Sequence, residues 1–242
     1  MTSRDTPFND IRGRSDATYD MGLRRHMLQV YNYMASGVLL TGIVALLFAE
    51  SGMAAKVFTP NGGATILGWL IMLAPLAYIF FLNNRLRTGS LRAGQIAFWS
   101  FTAIMGLSMS TIFLVYTATS IATTFFACSA AFAGLSLYGY TTKRNLGPIG
   151  AFLIMAVWGL IVASLINLFV HSSGMNYIIS AAGIVIFAGL TAYDTQKIKS
   201  EYRQGVSADV NERLAIWGAM ELYLDFINLM MHLLKFMGAK KE

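Results

Sequence analysis

One cysteine, Cys128, stands among the 242 residues. A lone thiol forms no internal disulfide, and Cys128 has no second cysteine with which to share a metal. Neither Cys-x-x-Cys nor His-x-x-x-His spacing occurs. Charge is equally scarce. Asp, Glu, Lys and Arg make up 12% of the chain, against about one quarter in soluble domains. Glycine-rich phosphate loops are absent, "PNGGA" being a short polar turn, and no serine sits in a nucleophile elbow. Residues 1–28 contain no apolar stretch of the kind a cleaved signal peptide needs.

What takes the place of charge is hydrophobic residues, 56% of the chain. They gather into seven runs, over residues 30–49, 64–82, 93–116, 120–140, 149–170, 175–193 and 214–236. Each approaches the roughly 20 residues a membrane-spanning helix requires. Pro75 lies in the second run, where it can kink a membrane helix without breaking it. The expected fold is an all-α polytopic membrane protein of seven transmembrane helices. A cytoplasmic polar tail (1–28), mobile until it turns helical near Met21, precedes the transmembrane domain (29–237). A short basic tail (238–242) follows it. Gly106 with Ser110, and Ala130 with Gly134, have the four-residue spacing that lets membrane helices approach closely. Cys128, inside an apolar run, reads as a small buried hydrophobe.

The net charge of +6 does not point to nucleic acid, because the bases sit between the runs, where they set topology. Arg4, Arg12, Arg14, Arg24, Arg25, Arg85, Arg87, Arg92, Lys143, Arg144, Lys197, Lys199, Arg203 and Arg213 fall on one side of the alternation. Lys56 falls on the other, with Lys235, Lys240 and Lys241 at the end. The positive-inside rule then puts the N-terminus in the cytoplasm. The terminal lysines go against the pattern, so the last segment either crosses, leaving the C-terminus outside, or returns as a re-entrant hairpin. Its length favours crossing.

Four acids lie in or at the edge of apolar runs: Glu50, Asp194, Glu221 and Asp225. Glu50 follows the first run and reads as interfacial. Asp225 is eleven residues from either end of the seventh run. An ionised aspartate at mid-bilayer costs roughly 3 kcal/mol on insertion scales, so a proton, a partner or a water-filled cavity must offset it. Glu221, Asp225, Asn228 and His232 are spaced i, i+4, i+7 and i+11, one stripe of a helix. A polar stripe on an apolar helix should face the bundle interior, which makes the seventh helix the central one. As packing glue, such groups would only hydrogen-bond neighbouring helices.

Asp194 ends the sixth run. If it meets Asp225 across helices, the two carboxylates cannot both ionise cheaply in a low dielectric, and the pair titrates as a unit. Such a pair senses pH and, when ionised, offers hard oxygen ligands to a cation such as calcium. Arg85 and Arg87, at the same end of the second helix, are candidate latches for it, although topology alone accounts for both. His26 and His171 fall in connections and read as solvated or interfacial.

Three stretches carry a family resemblance: "GLRRHMLQVYNYMASGVLLTGIVA", "LYGYTTKRNLGPIGAFLIMAVWGLI", and "GLTAYDTQKIK" followed by "ELYLDFINLMMHLL". Spread over nearly the whole chain, they resemble the Bax inhibitor-1 family, the YccA-like and lifeguard membrane proteins. The resemblance implies seven helices with the last at the centre, in a bacterial inner membrane. It also implies a pH-sensitive calcium leak governed by a di-aspartyl pair, here Asp194 in "YDTQ" and Asp225 in "LYLDFIN". Calcium would be bound transiently by these two residues as the transported ion, with no cofactor and no enzymatic activity. Arg85 is the latch candidate. Some family members are tied instead to a membrane-bound AAA protease or to cell-death control. The alternative function is therefore a non-conducting interaction protein that modulates such a protease. An intramembrane aspartyl protease would need Gly-x-Gly-Asp and Pro-Ala-Leu segments, and neither occurs. No inverted repeat of a secondary transporter is visible.

Overall fold

The structure, a computed structural model, describes the backbone of residues 7–57, 64–88 and 90–241, and the side chains of 19–57, 64–79 and 90–241. A chain in lipid must satisfy its own amides, and the apolar runs accordingly become helices. In order these are α1 (Pro7–Glu50), α2 (Ile66–Thr88), α3 (Leu91–Met109), α4 (Ile112–Val115), α5 (Ala118–Thr141), α6 (Gly147–Val170), α7 (Ser173–Glu201) and α8 (Ala208–Met237). Among the described residues there is no strand; Tyr116 and Lys240 form an isolated antiparallel bridge. Six segments are long and apolar enough to cross a membrane: Tyr19–Glu50, Leu91–Val115, Ala118–Thr141, Gly147–Val170, Ser173–Glu201 and Ala208–Met237. The run expected as the second span lies on α2, which is apolar over Ile66–Ile79 and continues as helix through Pro75 to Thr88.

Three expectations are revised. The polar stretch read as a tail up to Met21 is helical from Pro7, a residue suited to a first helical position. Once α1 is nucleated in the bilayer, nothing after Pro7 stops the helix from propagating back through the stretch. Its face is already committed before the apolar run begins, since Leu23, His26 and Met27 are all buried. The third run is broken into α3 and α4, because the Ser110 hydroxyl and amide both turn back onto the carbonyl of Leu107. Ala130 and Gly134, paired in sequence as packing residues, are both exposed, and a side chain at Gly134 would meet nothing. Gly106 does serve close approach: a Cβ there would lie 2.8 Å from the Thr41 carbonyl oxygen on α1.

The helices differ sharply in how much of them is enclosed. In the most apolar stretch of α6, 11% of residues are buried, and the helix rests on α7. In α8 the share is 67%, with α1, α2, α3, α5 and α7 packed around it. α7 and α8 run antiparallel: Ile198 faces Gly218 near one end, and Phe187 stacks on His232 near the other. The chain ends beside the start of α5, where Thr117 donates to the Ala239 carbonyl and Lys241 donates to that of Val115. That is the end of α5 opposite Lys143 and Arg144, so α8 runs through the bundle and does not fold back.

The surroundings of the two glycines predict opposite outcomes. Gly106→Val should destabilise by about 1–3 kcal/mol through overpacking against α1. Gly134→Ala should be neutral or stabilise by up to about 1 kcal/mol through helix propensity. Thermal unfolding in detergent reads both, and an equal loss in the two would contradict this packing.

Candidate functional site

Asp194 is carried on the last third of α7 and Asp225 at the middle of α8, and the antiparallel packing brings them opposite each other. Their carboxyl groups are within hydrogen-bonding reach. A hydrogen bond between two carboxyl groups needs one proton shared by the pair. Asp225 is 5% exposed, walled on its own helix by the buried Leu222, Tyr223, Phe226 and Leu229. Asp194 is half-buried. The contact that the spacing alone could not establish is therefore present.

One turn further along α8, Glu221 receives two donors. Lys197 Nζ lies 2.5 Å from Glu221 Oε1, and Trp217 Nε1 donates to the same oxygen at 2.9 Å. The acid pair thus sits one helical turn from a second acid held by a lysine. Lys197 had been read as a topology-setting base only. Its spacing of i+3 from Asp194, beside i−4 for Glu221 from Asp225, is the signal that an antiparallel register pairs them.

The rest of the polar stripe separates. Asn228 turns its amide back onto the Leu224 carbonyl of its own helix, at 2.8 Å. His232 is buried two turns from Asp225, its ring stacked on Phe187 at 5.7 Å and lying on Gly183, where any Cβ would strike it. Glu221 and Asp225 therefore form a cluster with Asp194 and Lys197, while Asn228 and His232 stand apart from it. Arg85, the latch candidate, is on the final turns of α2, and its side chain lies outside the described residues. His26, expected to be solvated or interfacial, is 3% exposed beside the ring of Tyr202, because the α7–α8 connection folds over that face of α1. His171 is exposed, at the left-handed cap of α6. Cys128 is buried. Among the described residues no three His, Cys, Asp or Glu side chains are grouped as a metal site would require.

Two further networks were invisible in sequence. Thr41 Oγ1 donates to the Thr102 carbonyl at 2.8 Å, so the Tyr223 hydroxyl, 2.7 Å away, donates to Thr41. This ties α1, α3 and α8 two residues from Asp225. Near the start of α8, Tyr33 and Gln95 both donate to Glu212 Oε1. On the other side of α7, Thr195 donates to Ser136 on α5, and the Tyr31 hydroxyl lies against both. These hydroxyls tie α1, α5 and α7 together on the face of α7 turned toward α5.

These features define a class: an integral membrane protein of packed helices with an acid pair enclosed between its last two long helices. The chain belongs to the family described as Inhibitor of apoptosis-promoting Bax1, whose profile matches residues 23–242. Its relatives include a protein of Rickettsia prowazekii, RP147, 45% identical over 93% of this chain and 94% of that one. The inner membrane protein YbhL of Escherichia coli is 40% identical, with 91% of this chain and 94% of YbhL covered.

Lys197→Met leaves Glu221 without its cation. The expected cost is about 1–3 kcal/mol for a stranded, largely enclosed polar group, with the lower end favoured by the partial exposure of the pair. Adding Glu221→Gln should recover part of it. Thermal unfolding of the single and double variants measures this. Additive losses would mean the two residues are not coupled.

Proposed function

We propose that the protein is a pH-sensitive calcium leak, gated by protonation of the Asp194–Asp225 pair. The observation that carries this reading is the enclosed carboxyl–carboxyl contact between α7 and α8. Two carboxyls that share one proton hold their helices together. Loss of that proton puts two negative charges side by side in a low dielectric, and the repulsion favours separation of the helices. The doubly ionised pair, with Glu221 one turn away, presents the hard oxygen ligands that a calcium ion takes. Calcium is here the transported ion.

In this reading α1, α2, α3, α5, α6, α7 and α8 all span, with α8 at the centre of the other six. The helix that five others contact is the natural one to bear the acids. The N-terminus lies in the cytoplasm, on the side of Lys143, Arg144, Lys197 and Lys199, as the positive-inside rule requires. The membrane is the inner one, in keeping with the name of YbhL.

Calcium flux into liposomes holding the purified protein tests the proposal. Wild-type flux should change several-fold between acidic and mildly alkaline pH. Asp225→Asn and Asp194→Asn each leave one titratable group where the pair needs two, so each should flatten that dependence. A folded wild-type protein with no flux above empty liposomes would overturn the reading in favour of a non-conducting interaction protein. Flux whose pH profile survives both substitutions would place the gate elsewhere.

A further inference from the structure

α1 rests on α3 and α8, and α5 rests on α7 and α8. Between α1 and α5 themselves the bundle stays open. Two cavities of about 620 and 640 Å³ occupy the gap, each within the roughly 300–1,000 Å³ of small-molecule sites. They share Met34, Ala35 and Phe132, so they form one groove that runs along the two helices. Small residues, Ala35 and Gly42 on α1 and Ala122 and Ala133 on α5, keep its walls apart, and Phe226 and Met230 of α8 form its floor.

The groove is polar at one end only. Arg24, Tyr31, Ser136 and Tyr140 line that end, while the remainder is almost wholly apolar. Arg24 is exposed and has no ion-pair partner among the described residues. Lys199 lies 4.8 Å from the centre of the Tyr140 ring and donates to the Tyr140 carbonyl, which brings a second cation to the same mouth. Asp20, one turn before Arg24 on α1, is the acid nearest to it in the sequence. Arg25, Lys143 and Arg144 are exposed at this end of the bundle. A long apolar trough capped by cations and hydroxyls has the polarity of a phospholipid. Basic pockets between membrane helices recognise anionic headgroups, and arginine suits a phosphate because its fork of N–H donors is planar.

We propose that the α1–α5 groove is a binding site for one anionic phospholipid, its phosphate at Arg24 and its acyl chain along Ala35 toward Ile121. The lipid would cover Tyr31, whose hydroxyl lies against Ser136 and Thr195 beside Asp194. The site therefore reaches toward α7 through the residue next in sequence to Asp194. It stands on the groove and its charges, whatever the protein conducts.

Native mass spectrometry of protein taken from bilayers of phosphatidylcholine and phosphatidylglycerol in equal parts tests the assignment. Wild type should retain one phosphatidylglycerol well above its share of the bilayer. Arg24→Gln, at an exposed position, should lower that preference about five- to tenfold while still retaining lipid. Ala35→Trp puts a ring where the two cavities join and should lose the retained lipid of either kind, with its thermal unfolding midpoint close to that of wild type. Retention in bulk proportion by wild type would overturn the proposal, as would an undiminished preference in both variants. So would a lipid-free dimer that Ala35→Trp dissociates, since the groove would then hold a second copy of the chain.

Discussion

A carboxyl group at the depth of Asp225 cannot face lipid, and this requirement governs the helix that bears it. An ionised side chain at mid-bilayer is costly, and a polar one without partners is costly too. α8 meets the requirement by being enclosed. Five helices pack on it, and Leu222, Tyr223 and Leu229 beside the acid are essentially inaccessible. The helices with less to hide lie further out. α6, which has no charged residue, rests on a single neighbour and leaves most of its surface to lipid. The most and the least enclosed of the long apolar segments, α8 and α6, are thus also the most and the least polar.

Enclosure alone does not fix how α8 is rotated or how far it slides. Those are set by directional contacts on two sides. Toward α7, the Asp194–Asp225 contact and the Lys197–Glu221 pair are one turn apart and define the antiparallel register. Gly183 makes the same register possible further along, because only a residue without a Cβ leaves space for the His232 ring. Toward α1 and α3, the chain from Tyr223 through Thr41 to the Thr102 carbonyl holds the opposite face. Each hydroxyl there has one proton and one assigned acceptor, so the network has a direction. A rotation of α8 that separated the aspartates would also strain this hydrogen-bonded side.

Hydropathy reports how badly a segment avoids water, and for this chain that is enough to locate nearly every long helix and the two acids that the packing of α7 on α8 brings together. It does not report which face of a helix meets protein and which meets lipid, since both are apolar. That is why Ala130 and Gly134 looked like packing residues but face outward, while Gly106, with the same spacing signature, packs on α1. Polar residues were legible when they were charged and deep, as with Asp225. They were not when the partner came from another helix, as with Lys197, or when the side chain turned back on its own backbone, as with Asn228. The helical start at Pro7 was missed for a related reason. A polar stretch does not preclude a helix, since Leu23, His26 and Met27 already bury one face of α1 and polar residues are tolerated on the others.

Packing glue and a working acid pair differ in how completely their atoms are satisfied. A purely structural polar cluster is stable when every buried lone pair finds a donor, because each one left over costs about 1–3 kcal/mol. Here Asp225 Oδ2 and Glu221 Oε2, one turn apart, are buried with no partner among the described residues. Both atoms are acceptors whose need is met by a proton or a cation. A cluster that only held helices together would more economically be Asn or Gln, whose amides supply both donors and an acceptor without a titratable proton. The unfilled oxygens of Asp225 and Glu221 are therefore what the proposed gating reading rests on, beyond the contact of Asp225 with Asp194.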